Sequence, residues 1–219
     1  MVASSIASKG LPFLHWDDKV SFALQCMDDY DVQHLVVVSD DIFMGIVSKS
    51  DLLDANETSI LKTLNEQLLK IAVTANAHYL TALDLFTKHQ LTIVPVLNDQ
   101  QECIGVITQS QLNDSLAHFL GVAKPGAILV LAVSPYHYSL SEMSKIVETN
   151  NAQIIQLNTY FDEANGNLVI TLKLNKDEAA SIIATFERYD YQVLQYFGNS
   201  PLNNDIESHY HNLMNYLDV

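Results

Sequence analysis

Residues 45–52 read GIVSKSDL, and sixty positions later residues 105–112 read GVITQSQL. The same order of elements surrounds both copies: an apolar helical stripe, a polar turn, an apolar strand, a hairpin, a second strand ending at the motif glycine, and a second helix. A repeat of this size predicts two stacked subdomains related by pseudo-twofold symmetry, with a groove shared between them.

The elements ahead of each motif can also be matched. Val20, Ala23 and Met27 are spaced as one face of a helix, and an apolar strand follows in each copy, at 35–38 and 93–96. The hairpin of the second copy is two residues longer than that of the first. Surface loops tolerate such insertions, so the two copies still predict the same subdomain.

The order helix, strand, hairpin, Gly-x-x-Ser/Thr-x-x-Asp and helix resembles a CBS domain, and the tandem resembles a CBS pair, or Bateman module. The run Val94-Pro95-Val96 ahead of the second motif adds to the likeness. The resemblance covers residues 9–122, with units at about 9–56 and 70–122. It implies dimerisation through the helices beside the sheets, so a homodimer is expected.

Charge and hydropathy narrow the range of partners. The net charge of −15 comes from 26 acidic and 11 basic residues, and the basic residues form no cluster of the kind that nucleic acid requires. The same charge disfavours anionic lipid, and no apolar run is long enough to span a bilayer. We expect neither nucleic acid nor membrane as a partner. With no signal-peptide pattern and two cysteines that indicate packed thiols, a cytoplasmic location is expected.

No sequence pattern is typical of a catalytic or metal site. His-Glu-x-x-His, Cys-x-x-Cys, Gly-x-Ser-x-Gly and Walker-type loops are all absent. The eight histidines are scattered and are expected at the surface. His34, just before the first groove strand, and His137, in a turn of the second half, stand out from the others. We therefore expect a protein that is not an enzyme, with no catalytic residue and no metal site.

The second half has a different organisation. A linker at 123–126 leads to residues 127–198, where strand, helix, strand, strand, helix and strand follow in order. This is the βαββαβ order of ferredoxin-like folds, with Asn165-Gly166 as a tight hairpin and Asn175 as the cap of the second helix. The region is similar to an ACT domain, although its turn at 134–138 lacks the expected glycine. The whole chain resembles bacterial CBS–ACT proteins of the acetoin-utilisation type, an α/β (α+β) class.

The last segment, residues 201–219, predicts an amphipathic helix. Ile206, Tyr210, Leu213 and Leu217 lie on one helical stripe. Such a helix is expected to pack on the sheet or on a partner chain.

The CBS resemblance implies a groove for an adenosyl ligand. In nucleotide-binding CBS pairs the motif Ser or Thr lies near phosphate or ribose, and the Asp accepts hydrogen bonds from the ribose hydroxyls. Glycine permits close backbone approach, and a helix that begins there favours an anion. The predicted site residues are Ser48 and Asp51 in the first copy, Thr108 and Gln111 in the second, and the apolar walls Leu35, Val36, Val94 and Pro95. Because Gln111 replaces the acid, we expect one good site, at Asp51.

Charge also bears on the ligand. The chain offers only Lys9, Lys19, Lys49 and Lys88 near the groove, so a triphosphate would need a divalent metal. AMP, ATP with metal, or the cationic S-adenosylmethionine are the candidate regulatory ligands, and a regulated partner protein would receive the signal. Two alternatives stay open. Asp51 could simply cap its helix, and the protein could be a homodimeric interaction scaffold that binds no nucleotide.

Overall fold

The computed structural model describes residues 1–198, and the chain divides into two compact units at residues 116 and 117. The predicted helix at 201–219 lies outside the described residues. Residues 1–198 contain six α-helices and three sheets, so the predicted mixed α/β class is confirmed. The sequence-based domain limits remain a proposal.

Residues 14–119 contain two copies of one βαββα arrangement, and the last three of these residues fall in the second unit. The elements of the first copy are β1 (Leu14–His15), α1 (Val20–Asp29), β2 (His34–Ser39), β3 (Ile42–Ser48) and α2 (Lys49–Leu53). The elements of the second copy are β4 (Val73–Thr74), α3 (Tyr79–His89), β5 (Ile93–Leu97), β6 (Cys103–Thr108) and α4 (Gln109–Phe119). Short 3-10 helices lie at Ala3–Ser5 and Leu61–Leu64.

Each copy forms a three-stranded sheet of the same design. The orders are β1-β2-β3 and β4-β5-β6, with the first pair parallel and the second antiparallel. The motif glycines occupy equivalent register positions, because Gly45 pairs with Val37 and Gly105 pairs with Val96. The two copies therefore agree in topology and in register.

Strand alternation divides the apolar side chains of β2 between two cores. Leu35 and Val37 pack into the core of the first copy, whereas Val36 and Val38 point the other way. The latter two share a separate core with Ile93 of the second copy, which we call the inter-repeat core. Successive residues of a strand face opposite sides, so one strand contributes both to its own subdomain and to the contact between subdomains.

The hairpins of the two copies are joined by backbone hydrogen bonds. The Phe43 N–H donates to the Gln101 carbonyl (3.0 Å), and the Cys103 N–H donates to the Asp41 carbonyl (3.1 Å). Asp40 and Asp41 make the first turn with φ of 48° and 66°, a left-handed conformation that aspartate adopts more readily than most residues. The hairpin ends of the two sheets therefore meet through main-chain bonds.

The second unit is a ferredoxin-like βαββαβ fold. Its elements are β7 (Ile128–Val133), α5 (Leu140–Thr149), β8 (Ile154–Asp162), β9 (Asn167–Leu174), α6 (Ala180–Arg188) and β10 (Gln192–Phe197). The sheet order is β10-β7-β9-β8, and every neighbouring pair is antiparallel. Both helices bury their apolar faces against β7 and β9, through fully buried residues such as Met143 and Phe186.

Two local predictions in this unit were wrong. The β8–β9 hairpin is not a two-residue turn, because four residues separate the strands and Gly166 has a positive φ (69°) whereas Asn165 does not. Asn175 does not cap α6, which begins at Ala180. Its side-chain carbonyl accepts a hydrogen bond from the Gln153 N–H (2.8 Å) instead. In the hairpin, the Asp162 carboxylate accepts from the Ala164 N–H (3.0 Å) and so organises the longer loop.

A buried lysine holds the first turn of this unit. The Lys173 ammonium donates to the carbonyl oxygens of Gly121 (2.6 Å) and Val122 (3.3 Å), and the residue is 9% exposed. Gly121 has a φ of 60° and closes α4 with the bond pattern of a Schellman motif. A buried ammonium needs hydrogen-bond acceptors, and these two carbonyl oxygens supply them.

Candidate functional site

The first motif forms the turn between β3 and α2. The Asp51 N–H donates to the Ser48 hydroxyl oxygen (3.1 Å), and the Ser48 N–H donates to Asp51 Oδ2 (3.4 Å). The Ser48 hydroxyl also donates to Oδ2 (2.5 Å). This is a reciprocal capping box, in which serine and aspartate each satisfy a backbone donor of the other. Asp51 is half-buried, and the box uses Oδ2 and leaves Oδ1 outside it.

The second motif builds the same turn with a neutral partner. The Thr108 N–H and hydroxyl both donate to Gln111 Oε1 (2.8 and 3.0 Å), and the Gln111 N–H donates to the Thr108 hydroxyl oxygen (3.4 Å). The remaining group differs chemically, because Asp51 retains an oxygen acceptor where Gln111 has an amide NH2 donor. A ribose diol, which donates two hydrogen bonds, fits the first turn better than the second.

The helices that follow the motifs differ in length. α2 has five residues and α4 has eleven. A short helix aligns few peptide dipoles, so the anion preference expected at the start of α2 is small. The sequence motif alone did not indicate this difference. At the first site the carboxylate and the hydroxyl, rather than a helix dipole, carry the chemistry.

The predicted apolar walls are corrected in part. Leu35 and Val94 are fully buried in the separate cores of the first and second copies, so they do not face the groove between the copies. Val36 lies in the inter-repeat core, and Pro95 shares its strand face with Ile93. The prediction placed adjacent residues on one wall, which the two-residue alternation of a strand prevents.

A contact between the copies lies beside the first motif. The Thr92 N–H donates to His34 Nδ1 (3.3 Å), and that nitrogen is 3.0 Å from the Thr92 hydroxyl oxygen. Burial lowers the pKa of the His34 imidazole, and the nearby Asp51 carboxylate opposes that shift. The sequence singled out His34 but missed Thr92. Its position immediately before β5, the strand equivalent to β2, was the available signal.

Two of the lysines considered as groove neighbours are already paired. The Lys49 ammonium lies 2.5 Å from an Asp28 oxygen, and the Lys88 ammonium lies 2.7 Å from an Asp84 oxygen. Each pair reduces the positive charge that those residues can offer to a phosphate. Cationic help for a polyphosphate is correspondingly scarce on this part of the surface.

Two further findings concern residues 1–198. No group of three or more His, Cys, Asp or Glu side chains is arranged to hold a metal ion in that range. None of the helices described there has the length and apolar character needed to cross a membrane.

Comparison with known proteins agrees with this architecture. A CBS domain family model matches residues 3–57 and 70–118. A CBS domain pair/ACT domain protein from Thermotoga maritima has a TM-score of 0.50 and 23% identity, over 55% of this chain and 99% of that one. A CBSX2 structure in complex with AMP has a TM-score of 0.44 and 18% identity, over 54% of this chain and 97% of that one.

The cytosolic domain of the magnesium channel MgtE, in complex with ATP, has a TM-score of 0.45 and 16% identity, over 52% of this chain and 48% of that one. At 23% identity, the likeness to the Thermotoga maritima structure bears on the fold alone. The family match covers both copies of the repeated motif and the sheets that present them. The chain therefore contains a tandem CBS domain pair, formed by residues 3–57 and 70–118.

Proposed function

We propose that the CBS pair is a non-catalytic regulatory module that binds one adenosyl ligand in the groove at Asp51. The observation that carries the proposal is the state of that carboxylate. Asp51 is half-buried, one of its oxygens is held by Ser48, and the other lies outside the capping box. A carboxylate oriented in this way can accept from ribose hydroxyls without giving up the helix cap.

The charges favour particular members of the adenosyl class. Lys49 and Lys88 are engaged with Asp28 and Asp84, and the whole chain carries a charge of −15. A metal-free triphosphate therefore meets net repulsion. AMP, ATP with a divalent metal, and S-adenosylmethionine are the proposed ligands. The CBSX2 structure is a complex with AMP and the MgtE structure is a complex with ATP, so both nucleotides are included in the binding experiment below.

A regulatory role requires that the ligand favour one arrangement of the two copies over another. The His34–Thr92 contact joins the copies beside Asp51, so a ligand seated there would act on that contact directly. We propose that the protein functions in the cytoplasm as a homodimer and passes this change to a regulated partner protein. These assignments follow the family resemblance together with the position of the contact.

Isothermal titration calorimetry with AMP, S-adenosylmethionine, and ATP with and without Mg²⁺ tests the proposal. One site per chain is expected, and ATP should bind more weakly without the metal. Asp51→Ala should weaken binding at least about tenfold, because the ribose loses a charged acceptor. Gln111→Ala is the matched control at the equivalent position of the second copy and should leave affinity unchanged.

Three results would contradict parts of the proposal. Tight binding of metal-free ATP would refute the charge argument, and full binding by the Asp51→Ala variant would refute the site. If none of the three ligands bound under any of the four conditions, the proposed function itself would fail. Asp51→Asn serves as a second variant, since an amide oxygen can still accept at the cap, as Gln111 does in the second copy.

One observation favours the alternative of a ligand-free homodimeric scaffold. In both copies the motif side chains already satisfy each other as caps, so the turns are complete without a ligand. Under that reading the motif residues contribute to folding alone. The same calorimetry decides between the two functions, because a scaffold gives no heat with any adenosyl ligand.

A further inference from the structure

A cavity opens at the hairpin end of the CBS pair, away from the motif turns. Its volume is about 440 Å³, within the range of small-molecule sites. The cavity is bounded by the N-terminal segment from residue 9 to residue 15, by the end of β2 and by the start of β6. Its lining residue Ile104 is four positions from Thr108, roughly 13 Å along the strand.

The lining combines apolar walls with charges of both signs. Leu11, Phe13 and Ile104 supply partly buried apolar surface, and Val38 closes the base. Lys9 lines the cavity as its one lysine. Within residues 1–198 it makes no ion pair and no side-chain hydrogen bond, so its charge is available to a ligand.

Two acidic residues line the cavity, one from each hairpin. Asp41 lies in the first turn, and Glu102 lies in the second, where its Oε2 accepts from the Asn98 side-chain amide (2.6 Å). The hairpins are held together by the Cys103 N–H bond to the Asp41 carbonyl. This bond holds the two hairpins side by side, so Lys9, Asp41 and Glu102 line one cavity, with His15 also at its edge.

We propose that this cavity binds a zwitterionic α-amino acid with an apolar side chain. The ligand carboxylate pairs with Lys9, the ligand ammonium pairs with Asp41 and Glu102, and the side chain packs on Leu11, Phe13 and Ile104. A zwitterion has no net charge, so the acidity of the whole protein does not repel it, whereas it does repel a simple anion. The site lies apart from the Asp51 groove and does not depend on the proposed adenosyl ligand.

Three probes with the same apolar side chain separate the contributions of the charges. L-leucine carries both charges, isoamylamine is the same molecule without the carboxylate, and 4-methylpentanoate is the same molecule without the ammonium. Calorimetry on the full chain should show leucine binding about tenfold tighter than either relative. Methyl NMR shifts at Ile104 and Leu11 should accompany leucine binding and locate it in this cavity.

Variants assign each charge to a side chain. Lys9→Met should reduce the affinity for leucine to that for isoamylamine while leaving isoamylamine binding unchanged. Glu102→Gln should weaken leucine and isoamylamine together, and its amide oxygen can still accept from Asn98. Lys70→Met is the matched control, because Lys70 is an exposed lysine in the segment before β4 that bonds Asn65 instead of lining the cavity.

Several results would overturn the proposal. They are equal binding of the three probes, unchanged leucine affinity in Lys9→Met, methyl shifts confined to other residues, or no leucine binding up to roughly 10 mM. Lys9 is exposed, so its replacement should not unfold the protein. Asp51→Ala should leave leucine affinity unchanged, which separates a failure here from a failure of the adenosyl site.

Discussion

The two motif turns share a backbone design and differ in what they offer to a ligand. Ser48 with Asp51 and Thr108 with Gln111 close the same reciprocal cap at the same position after a strand. The first turn keeps a carboxylate oxygen outside the cap, and the second keeps an amide NH2. Both copies therefore have the same cap geometry, although the group left outside the cap is a hydrogen-bond acceptor in the first copy and a donor in the second.

The motif glycines differ more strongly than the caps. Gly45 has a φ of 150°, and a Cβ there would lie 2.7 Å from the Leu68 Cβ. Gly105 has no such φ, and its Cβ would lie 3.0 Å from the Ser8 carbonyl oxygen. The first copy thus combines backbone strain with a side-chain clash, whereas the second meets only a close contact with the backbone of Ser8.

Replacing these glycines should give the largest effect. Gly45→Ala is expected to lower the free energy of unfolding by about 2–4 kcal/mol, because both the conformation and the Leu68 contact oppose a Cβ. Gly105→Ala should cost about 1 kcal/mol, if the Ser8 segment moves by a few tenths of an ångström. Urea denaturation followed by the fluorescence of Trp16, the single tryptophan, measures both. Equal losses would show that the two glycines serve the same purpose.

Restoring the acid in the second copy sharpens the comparison of ligand chemistry. Gln111→Asp should add a second adenosyl site, because a carboxylate again faces the diol. The affinity of this site should be within about tenfold of that of the first site. Calorimetric stoichiometry should rise from one toward two ligands per chain. Thr108→Asp is a control that adds the same charge without rebuilding the motif. A stoichiometry that stays at one in Gln111→Asp would mean that the exposed oxygen is not what separates the copies.

Removing the cap hydroxyls tests whether charge strengthens the first turn. Ser48→Ala should cost about 1–2 kcal/mol, because the hydroxyl bonds to a carboxylate, and Thr108→Ala should cost about 0.5–1 kcal/mol. The difference between the two losses is the informative quantity. It should shrink when Ser48→Ala is made on an Asp51→Asn background. A larger loss at Thr108 would reverse the argument.

The smallest expected effect concerns pH at the contact between the copies. Because burial lowers the pKa of His34 in the folded state, the unfolded chain takes up its proton first as pH falls below about 6.5. The His34 contribution to stability is therefore lost as pH falls through that range, and the loss levels off below the folded-state pKa. His34→Gln should remove this component while keeping an acceptor for Thr92.

The measurement is the difference in the free energy of unfolding between the parent and His34→Gln at pH 7.5 and at pH 5.5. Other histidines contribute equally to both proteins, so the comparison isolates His34. Thr92→Val, which removes the hydroxyl but keeps the backbone donor, should retain the pH dependence. A parent and a His34→Gln variant with identical pH profiles would contradict the assignment.

Most of the fold could be predicted from the sequence, because the repeated motif and the periodic spacing of apolar residues are local signals. Val20, Ala23 and Met27 are buried together as their spacing predicted. The wall residues were harder, since assigning Leu35 and Val36 to faces requires the pairing of strands as well as their composition. Thr92 was missed for a related reason. A contact across 58 residues of sequence depends on how the copies stack, and no local pattern encodes that stacking.

The paired hairpins have a mechanical consequence. At that end the two sheets are joined by main-chain bonds between Phe43 and Gln101 and between Cys103 and Asp41, whereas the opposite strand ends meet through the His34–Thr92 side-chain contact. Side chains yield more readily than paired backbone, so any opening would pivot about the hairpins like a hinge. Over a strand of about 17 Å, a rotation of about 5° moves the far end by roughly 1.5 Å. The displacement is largest at the strand ends beside Asp51, where the proposed ligand would place its ribose.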